Sequence, residues 1–145
     1  MSLYVVDASV AAKWVLPPDA EPFHEEALEL LRRYAEGEVS FLIPDLFWPE
    51  VASILWKCVR VGRMDAGLAK AGLQGLRDLS LQTLPSEEVI EEALQLALVT
   101  GRTVYDSLYV AAAMTRDAVF VTADERLVNG MGTRFPVRWI GGLRF

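Results

Sequence analysis

Residues 3–10 are Leu3-Tyr4-Val5-Val6-Asp7-Ala8-Ser9-Val10. The first four residues form an apolar run, and the acidic residue Asp7 follows it directly. Such a short run, rich in β-branched and aromatic residues, is typical of a strand that is buried on both faces. The residues after Asp7 favour a helix from Ala8 to Leu16, and Pro17-Pro18 end it because proline cannot continue a helix. A buried strand followed at once by a helix is the repeating unit of an α/β fold.

The rest of the chain repeats this alternation of strand and helix. The patterns predict further strands at 40–43, 81–84, 118–121 and 137–140, and helices at 21–36, 45–61, 65–79, 86–97, 105–116 and 125–128. Asp45 and Ser86 are the predicted N-caps of two of these helices, and Ile90, Ala93, Leu94 and Ala97 form the predicted apolar face of the second. The alternation implies a mostly parallel sheet that is covered by helices on both faces.

Composition restricts the chemistry that this protein can perform. The 145 residues are 52% hydrophobic, so we expect one domain, residues 1–145, with a substantial core. No apolar run is long enough to span a bilayer and no basic leader precedes Asp7, so we expect a cytoplasmic protein. The single cysteine, Cys58, and the single histidine, His24, which we expect at the surface, leave carboxylates and hydroxyls as the reactive groups.

Four acidic residues stand apart from the solvated acids on polar helix faces. Asp7 and Asp124 directly follow predicted strands, whereas Glu50 and Asp106 lie near the starts of apolar helices, and we find no neighbouring cationic partner for any of the four. Each has a simpler interpretation, as a helix cap or a favourable charge at a helix N-terminus, and Thr103 with Asp106 fits a capping box. If the four converge, they need a cation between them, and oxygen ligands without histidine or cysteine suit Mg²⁺ or Mn²⁺.

The ordered set of acidic motifs resembles the PIN-domain family, and within it the VapC toxins of toxin–antitoxin pairs. The resemblance rests on Val5-Val6-Asp7-Ala8-Ser9-Val10, Pro49-Glu50-Val51, residues 105–113 and Val121-Thr122-Ala123-Asp124, and it covers essentially the whole chain. It implies a three-layer α/β/α sandwich around a parallel five-stranded sheet, with the acidic residues at one end.

The same resemblance implies a metal-dependent endoribonuclease that is silenced by an antitoxin protein and forms a homodimer. By position, Asp7, Glu50, Asp106 and Asp124 take the catalytic and metal-binding roles, and Ser9 and Thr122 orient the acids or a water molecule, although both hydroxyls could instead cap a helix or turn. The hypothesis is hydrolysis of an RNA phosphodiester with one Mg²⁺ or Mn²⁺ ion, or two, by family analogy leaving a 5′-phosphate and a 3′-hydroxyl.

The net charge of -6 argues against RNA binding through a large basic field, so local cations must hold the substrate. Lys13 is the first candidate for this role, and Arg102 and Arg126 are weaker ones for which an ordinary surface charge is the simpler interpretation. Trp14, Trp48, Trp56 and Phe47 belong either to the core or to a groove for an antitoxin helix. A catalytically silent PIN scaffold that binds RNA or protein is the alternative, and an aspartyl-phosphate phosphatase is a rival class.

Overall fold

A computed structural model describes residues 2–145, and within them five strands form one sheet in which every neighbouring pair is parallel. The strands are β1 (Ser2–Val6), β2 (Val39–Pro44), β3 (Gln82–Leu84), β4 (Val119–Thr122) and β5 (Val137–Trp139), and their order across the sheet is β3-β2-β1-β4-β5. This confirms the predicted α/β class and the parallel five-stranded sheet.

Helices cover both faces of the sheet and complete the three layers. The described residues contain seven α-helices: α1 (Ala8–Ala11), α2 (His24–Ala35), α3 (Phe47–Arg60), α4 (Ala66–Asp78), α5 (Ile90–Thr100), α6 (Val104–Thr115) and α7 (Glu125–Met131). The buried residues of α1 to α4 pack in one core and those of α5 to α7 in another, on opposite faces of the sheet. None of the helices in residues 2–145 combines the length and the apolar character needed to cross a membrane.

The central strand shows why the chain needs both layers. Tyr4 and Val6 enter the core with α1 to α4, whereas Val5 enters the core with α5 to α7, because successive side chains of a strand point to opposite faces. All three are buried, which explains the continuous apolar run in the sequence. Helix α6 is buried from Ser107 to Ala113, as its apolar sequence predicted.

Two predicted helix caps are wrong, and one contact explains both. Asp45 does not cap α3, because the N-cap of that helix is Leu46. The Asp45 carboxylate instead accepts hydrogen bonds from the backbone N–H and the hydroxyl of Ser86. Ser86 opens a 3₁₀ helix, Ser86–Val89, and α5 begins only at Ile90. The two residues therefore pair with each other across the ends of β2 and β3, and neither caps its own helix.

The predicted apolar face of α5 is only partly buried. Ala93 is buried, but Ile90 and Leu94 are exposed, and so are Leu98 and Val99 on the next turns of the helix. The small Ala93 side chain lets α5 lie close to α6, while the larger residues on the neighbouring face remain exposed to solvent. We call Ile90, Leu94 and Leu98, which follow one another at intervals of four residues, the α5 apolar face.

The segment between α1 and α2 is anchored by a buried ion pair. Helix α1 is shorter than predicted, since residues Ala12–Trp14 continue as a 3₁₀ helix. Lys13 in that segment is buried, and its Nζ lies 2.8 Å from Oε1 of Glu21, while Oε2 of Glu21 accepts a hydrogen bond from Arg63. His24 is partly buried rather than at the surface, and its Nδ1 donates to the Lys13 carbonyl oxygen at 3.1 Å.

The aromatic residues divide between core and surface. Phe47 is fully buried, and Trp14 and Trp48 are partly buried against the core. The Trp14 ring stacks on Phe41, and its indole N–H donates to the Ala27 carbonyl oxygen at 2.8 Å. Trp56 is the exposed member of the group, with the Arg60 guanidinium over its ring.

Replacing Glu21 with Gln should lower the free energy of unfolding by about 3 kcal/mol, because the Lys13 ammonium would then be buried without a counter-charge. The matched control is Glu36→Gln, which breaks an exposed, solvent-screened ion pair with Arg32 and should cost much less. Urea unfolding of both variants measures the difference. Equal losses for the two variants would contradict a stabilising role for the buried pair.

Candidate active site

The sheet topology places Asp7 and Asp124 beside each other. Strands β1 and β4 are parallel neighbours with Val6 opposite Val121, so the residues that follow them leave the same edge of the sheet. The two strands also flank the point at which the strand order reverses, where parallel α/β sheets bind their ligands. Both residues also act as caps: Asp7 accepts from the backbone N–H of Ser9 at 3.4 Å, and Asp124 accepts from that of Leu127 at 3.2 Å.

Thr122 and Ser9 fix the arrangement of these two acidic residues. The Thr122 hydroxyl is fully buried, donates to Oδ2 of Asp7 at 2.5 Å, and accepts from the backbone N–H of Asp124 at 3.1 Å. The Ser9 hydroxyl accepts from the backbone N–H of Ala123 at 3.2 Å. These hydroxyls therefore link the first and last acidic motifs directly.

Glu50 is held from the opposite layer of the molecule. It lies in the first turn of α3, and its Oε1 accepts a hydrogen bond from the Tyr109 hydroxyl at 2.6 Å. Tyr109 is a buried residue of α6, and its ring stacks on Phe120 of β4 with 5.0 Å between centroids. The sequence analysis did not identify Tyr109 as a site residue, although its place one helical turn after Asp106 was the available signal.

Asp106 lies in the first turn of α6, and Thr103 is the N-cap of that helix, as the capping-box interpretation predicted. The Thr103 hydroxyl oxygen accepts a hydrogen bond from the backbone N–H of Asp106 at 3.0 Å. The expectation that no cation neighbours the acidic residues is wrong for two of them. Nη2 of Arg102 lies 3.5 Å from Oδ2 of Asp106 and 3.9 Å from Oδ2 of Asp124. Arg102 precedes Asp106 by four residues, and its approach to Asp124 depends on the position of α7.

Burial and mutual repulsion both act on these carboxylates. Burial raises the pKa of Asp7, Glu50 and Asp106, and it is the largest cause in each case. The charge of Asp106 raises the pKa of both Asp7 and Glu50 further, and the charge of Asp7 also raises that of Glu50. A hydrogen bond from Thr122 lowers the pKa of Asp7 in part, and one from Tyr109 does the same for Glu50. The charge of Arg102 opposes the rise in the pKa of Asp106. We call Asp7, Glu50, Asp106 and Asp124 the acidic cluster.

Two members of the acidic cluster line an open cleft of about 530 Å³. Asp7 and Glu50 are accompanied by apolar wall residues that include Leu46, Pro49 and Ile54, and Tyr105 also lines the cleft. The Tyr105 side chain is 66% exposed. The cleft therefore offers carboxylates beside an accessible aromatic ring.

The donor set fits a hard divalent cation. All four groups are carboxylates, the ligands that Mg²⁺ and Mn²⁺ prefer, and a bound cation would relieve the repulsion that contributes to the raised pKa values of Asp7 and Glu50. In the part of the chain that is described, no three histidine, cysteine, aspartate or glutamate side chains already lie close enough to share one ion. Mg²⁺ usually retains several waters and uses only one or two carboxylates, so this spacing is compatible with it.

The structure changes the interpretation of Lys13 as a substrate-binding residue. Lys13 is buried and its ammonium group pairs with Glu21, so this structure gives no support to the assignment, which stays a prediction. Arg126 is exposed on α7, two residues after Asp124, and its role stays a prediction.

Comparisons with known proteins identify a family and support the fold. Residues 4–129 match the family model of the PIN domain. The chain is 34% identical over 134 residues to "Ribonuclease VapC3" of Pyrobaculum aerophilum, covering 91% of this chain and 94% of that protein. It is 30% identical over 125 residues to "Exonuclease VapC9" of the same organism, covering 86% and 83%. The crystal structure of PAE2754, also from Pyrobaculum aerophilum, shares the fold with a TM-score of 0.68 at 24% identity, covering 97% of this chain and 85% of that one.

In metal-free buffer, replacing Asp106 with Asn should leave the free energy of unfolding unchanged near pH 4 and raise it at pH 7. The sign follows from the raised pKa of Asp106: the folded state favours the protonated acid and loses stability as the pH rises through that pKa. Urea unfolding at several pH values measures the difference.

Glu29→Gln is the control of opposite sign. Hydrogen bonds from Arg32 lower the pKa of exposed Glu29 to about 2, so this variant should be less stable than the wild type at pH 7. A wild type that is markedly more stable than Asp106→Asn at pH 7 would contradict this prediction. It would show that the charge of Asp106 stabilises the N-terminus of α6 and the pair with Arg102 by more than repulsion within the cluster costs.

Proposed function

The chain belongs to the PIN-domain family and is a VapC-type toxin, and from this we propose that it is a ribonuclease that hydrolyses RNA phosphodiester bonds at the acidic cluster with Mg²⁺ or Mn²⁺. The observation that carries the proposal is that Asp7 and Glu50 line one cleft open to solvent, where the Thr122 and Tyr109 hydroxyls hold their carboxylates. The name of VapC3 supports the choice of RNA as the substrate.

Each residue of the site has a separate role in the proposed hydrolysis. Asp7 and Glu50 would hold a divalent ion, whose positive charge would lower the pKa of the attacking water and offset the charge that develops on the phosphate. Asp7 and Glu50 are held for this purpose by Thr122 and Tyr109, and the carboxylates take up the proton that the water loses. The water oxygen bonds to phosphorus, the bond from phosphorus to O3′ breaks, and O3′ takes a proton. The products then carry a 5′-phosphate and a 3′-hydroxyl.

The cleft suits a single-stranded RNA. Unpaired bases stack on exposed aromatic rings, and Tyr105 offers such a ring beside the carboxylates. Since the chain as a whole is acidic, affinity must come from such local contacts and from the ion rather than from a basic surface.

We expect purified, antitoxin-free protein to cut single-stranded RNA in Mg²⁺ and not in EDTA, and Asp7→Asn to lose at least about 100-fold in rate because the buried carboxylate beside Thr122 is gone. The matched control is Asp78→Asn, which changes an exposed acid at the end of α4 and should keep the wild-type rate. Gel analysis of RNA that is blocked at both ends measures cleavage within the chain.

Each failure of this assay has a separate meaning. Equal rates for the wild type and Asp7→Asn would place the activity elsewhere. Products that end in a 2′,3′-cyclic phosphate would contradict attack by water. Cleavage only of RNA with a free end would make the protein an exonuclease, as the name of VapC9 describes that relative. Folded protein that binds Mg²⁺ but cuts no RNA would favour the silent scaffold.

The partners are part of the same proposal. We place the toxin in the cytoplasm, with an antitoxin protein that blocks it. An apolar groove of about 530 Å³ between α4 and the segment after α1, lined by Leu16, Met64 and Leu68 among others, is a surface that an antitoxin helix could fill. The α5 apolar face is the surface best suited to a homodimer, because monomers rarely expose several large aliphatic residues on one helix.

Replacing Leu98 with Asp should dissociate the homodimer, because Leu98 is the most exposed residue of the α5 apolar face, at 73%. Leu68→Asp is the matched control, since Leu68 is an exposed leucine on α4 at the other face of the sheet. Light scattering on a sizing column should report a dimer for the wild type and the control and a monomer for Leu98→Asp. A dimer in all three proteins would move the interface away from α5.

A further inference from the structure

Arg102 lies at one side of the acidic cluster in a position that packing defines. It belongs to the loop between α5 and α6, and its Nη2 faces Oδ2 of Asp106 and Oδ2 of Asp124 at 3.5 and 3.9 Å. Its aliphatic stem lies against Gly130 of α7, so closely that a Cβ at that glycine would be 3.3 Å from Cδ of Arg102. The guanidinium is therefore held between α6 and α7.

The surroundings of Arg102 distinguish it from a solvated surface arginine. Its side chain is only 28% exposed, and its buried Nε has no hydrogen-bond partner among residues 2–145. A guanidinium that leaves water without satisfying all its donors needs compensation from nearby negative charge. Asp106 and Asp124 supply that charge.

The two sides of the acidic cluster consequently differ. Oδ1 of Asp124 accepts a hydrogen bond from the backbone N–H of Leu127, and Oδ2 lies 3.9 Å from Nη2 of Arg102. In contrast, neither Asp7 nor Glu50 forms an ion pair with a lysine or arginine anywhere in residues 2–145. Asp106 lies between the two sides, coupled to Asp7 and Glu50 and paired with Arg102.

We propose that Arg102 is a built-in cation that takes the place of a second metal ion. The cluster then holds one divalent ion on the side of Asp7 and Glu50, which line the cleft, and Asp124 acts by positioning Arg102 rather than as a metal ligand. The physical reason is that two cations a few ångströms apart repel each other, and only one side of the cluster lacks a positive charge of the chain's own. This inference rests on the proposed metal-dependent function and specifies its stoichiometry.

The test is a count of Mn²⁺ ions by isothermal titration calorimetry, without RNA, on protein that circular dichroism shows to be folded. The wild type should bind one ion per chain. Arg102→Met keeps the length of the side chain on Gly130 but removes its charge, and it should bind a second ion or bind the first about tenfold more tightly. Arg102→Lys keeps the charge and should stay at one ion.

Two further variants separate the roles of the acids and of charge in general. Arg126→Met removes an exposed charge from α7 and should leave the titration unchanged. Asp7→Asn should abolish binding, whereas Asp124→Asn should retain one ion.

Two ions on the wild type, or an Arg102→Met titration identical to that of the wild type, would overturn the role of Arg102 while leaving a metal-dependent nuclease intact. Loss of binding in Asp124→Asn equal to that in Asp7→Asn would overturn the assignment of Asp124. A folded wild type that binds no Mn²⁺ at all would overturn both this inference and the metal-dependent function.

Discussion

The burial and mutual repulsion of carboxylates at one edge of the sheet are the main constraint on this structure. Asp7, Glu50 and Asp106 come from separate parts of the chain, and each has a raised pKa because burial and its neighbours disfavour its charge. A protein gains nothing in stability from such an arrangement, so it must be held in place by other contacts. Thr122 and Tyr109 supply these contacts as short hydrogen bonds to Asp7 and Glu50.

The fold supplies the geometry that these hydrogen bonds refine. Strands β1 and β4 bring Asp7 and Thr122 side by side, and helices from opposite layers, α3 and α6, direct Glu50 and Tyr109 towards the same edge. Tyr109 reaches across the layers because it is a buried residue whose ring is fixed by stacking on Phe120 of the sheet. The cores on both faces therefore act as the rigid support of the acidic cluster.

Charge is distributed unevenly around the acidic cluster. Arg102 neutralises the side formed by Asp106 and Asp124, and the side towards the cleft has no such partner in the described residues. The buried lysine at position 13, which is near Asp7 in sequence, is committed to Glu21 and cannot serve as that partner. The open side is consequently where an external cation and a phosphate would meet least resistance.

The sequence by itself determined the α/β class, the number of strands and nearly every helix. The spacing of apolar residues and the residues that flank each segment carry that information locally. It also selected the four acidic residues and the Thr103 cap of α6, although the catalytic roles of the acids stay predictions. It could not determine which face of α5 is covered, since periodicity shows which residues share a face but not what packs against it. Only the tertiary structure decided that Lys13 is buried and that Arg102 faces two acids, because both pairings depend on where distant segments meet.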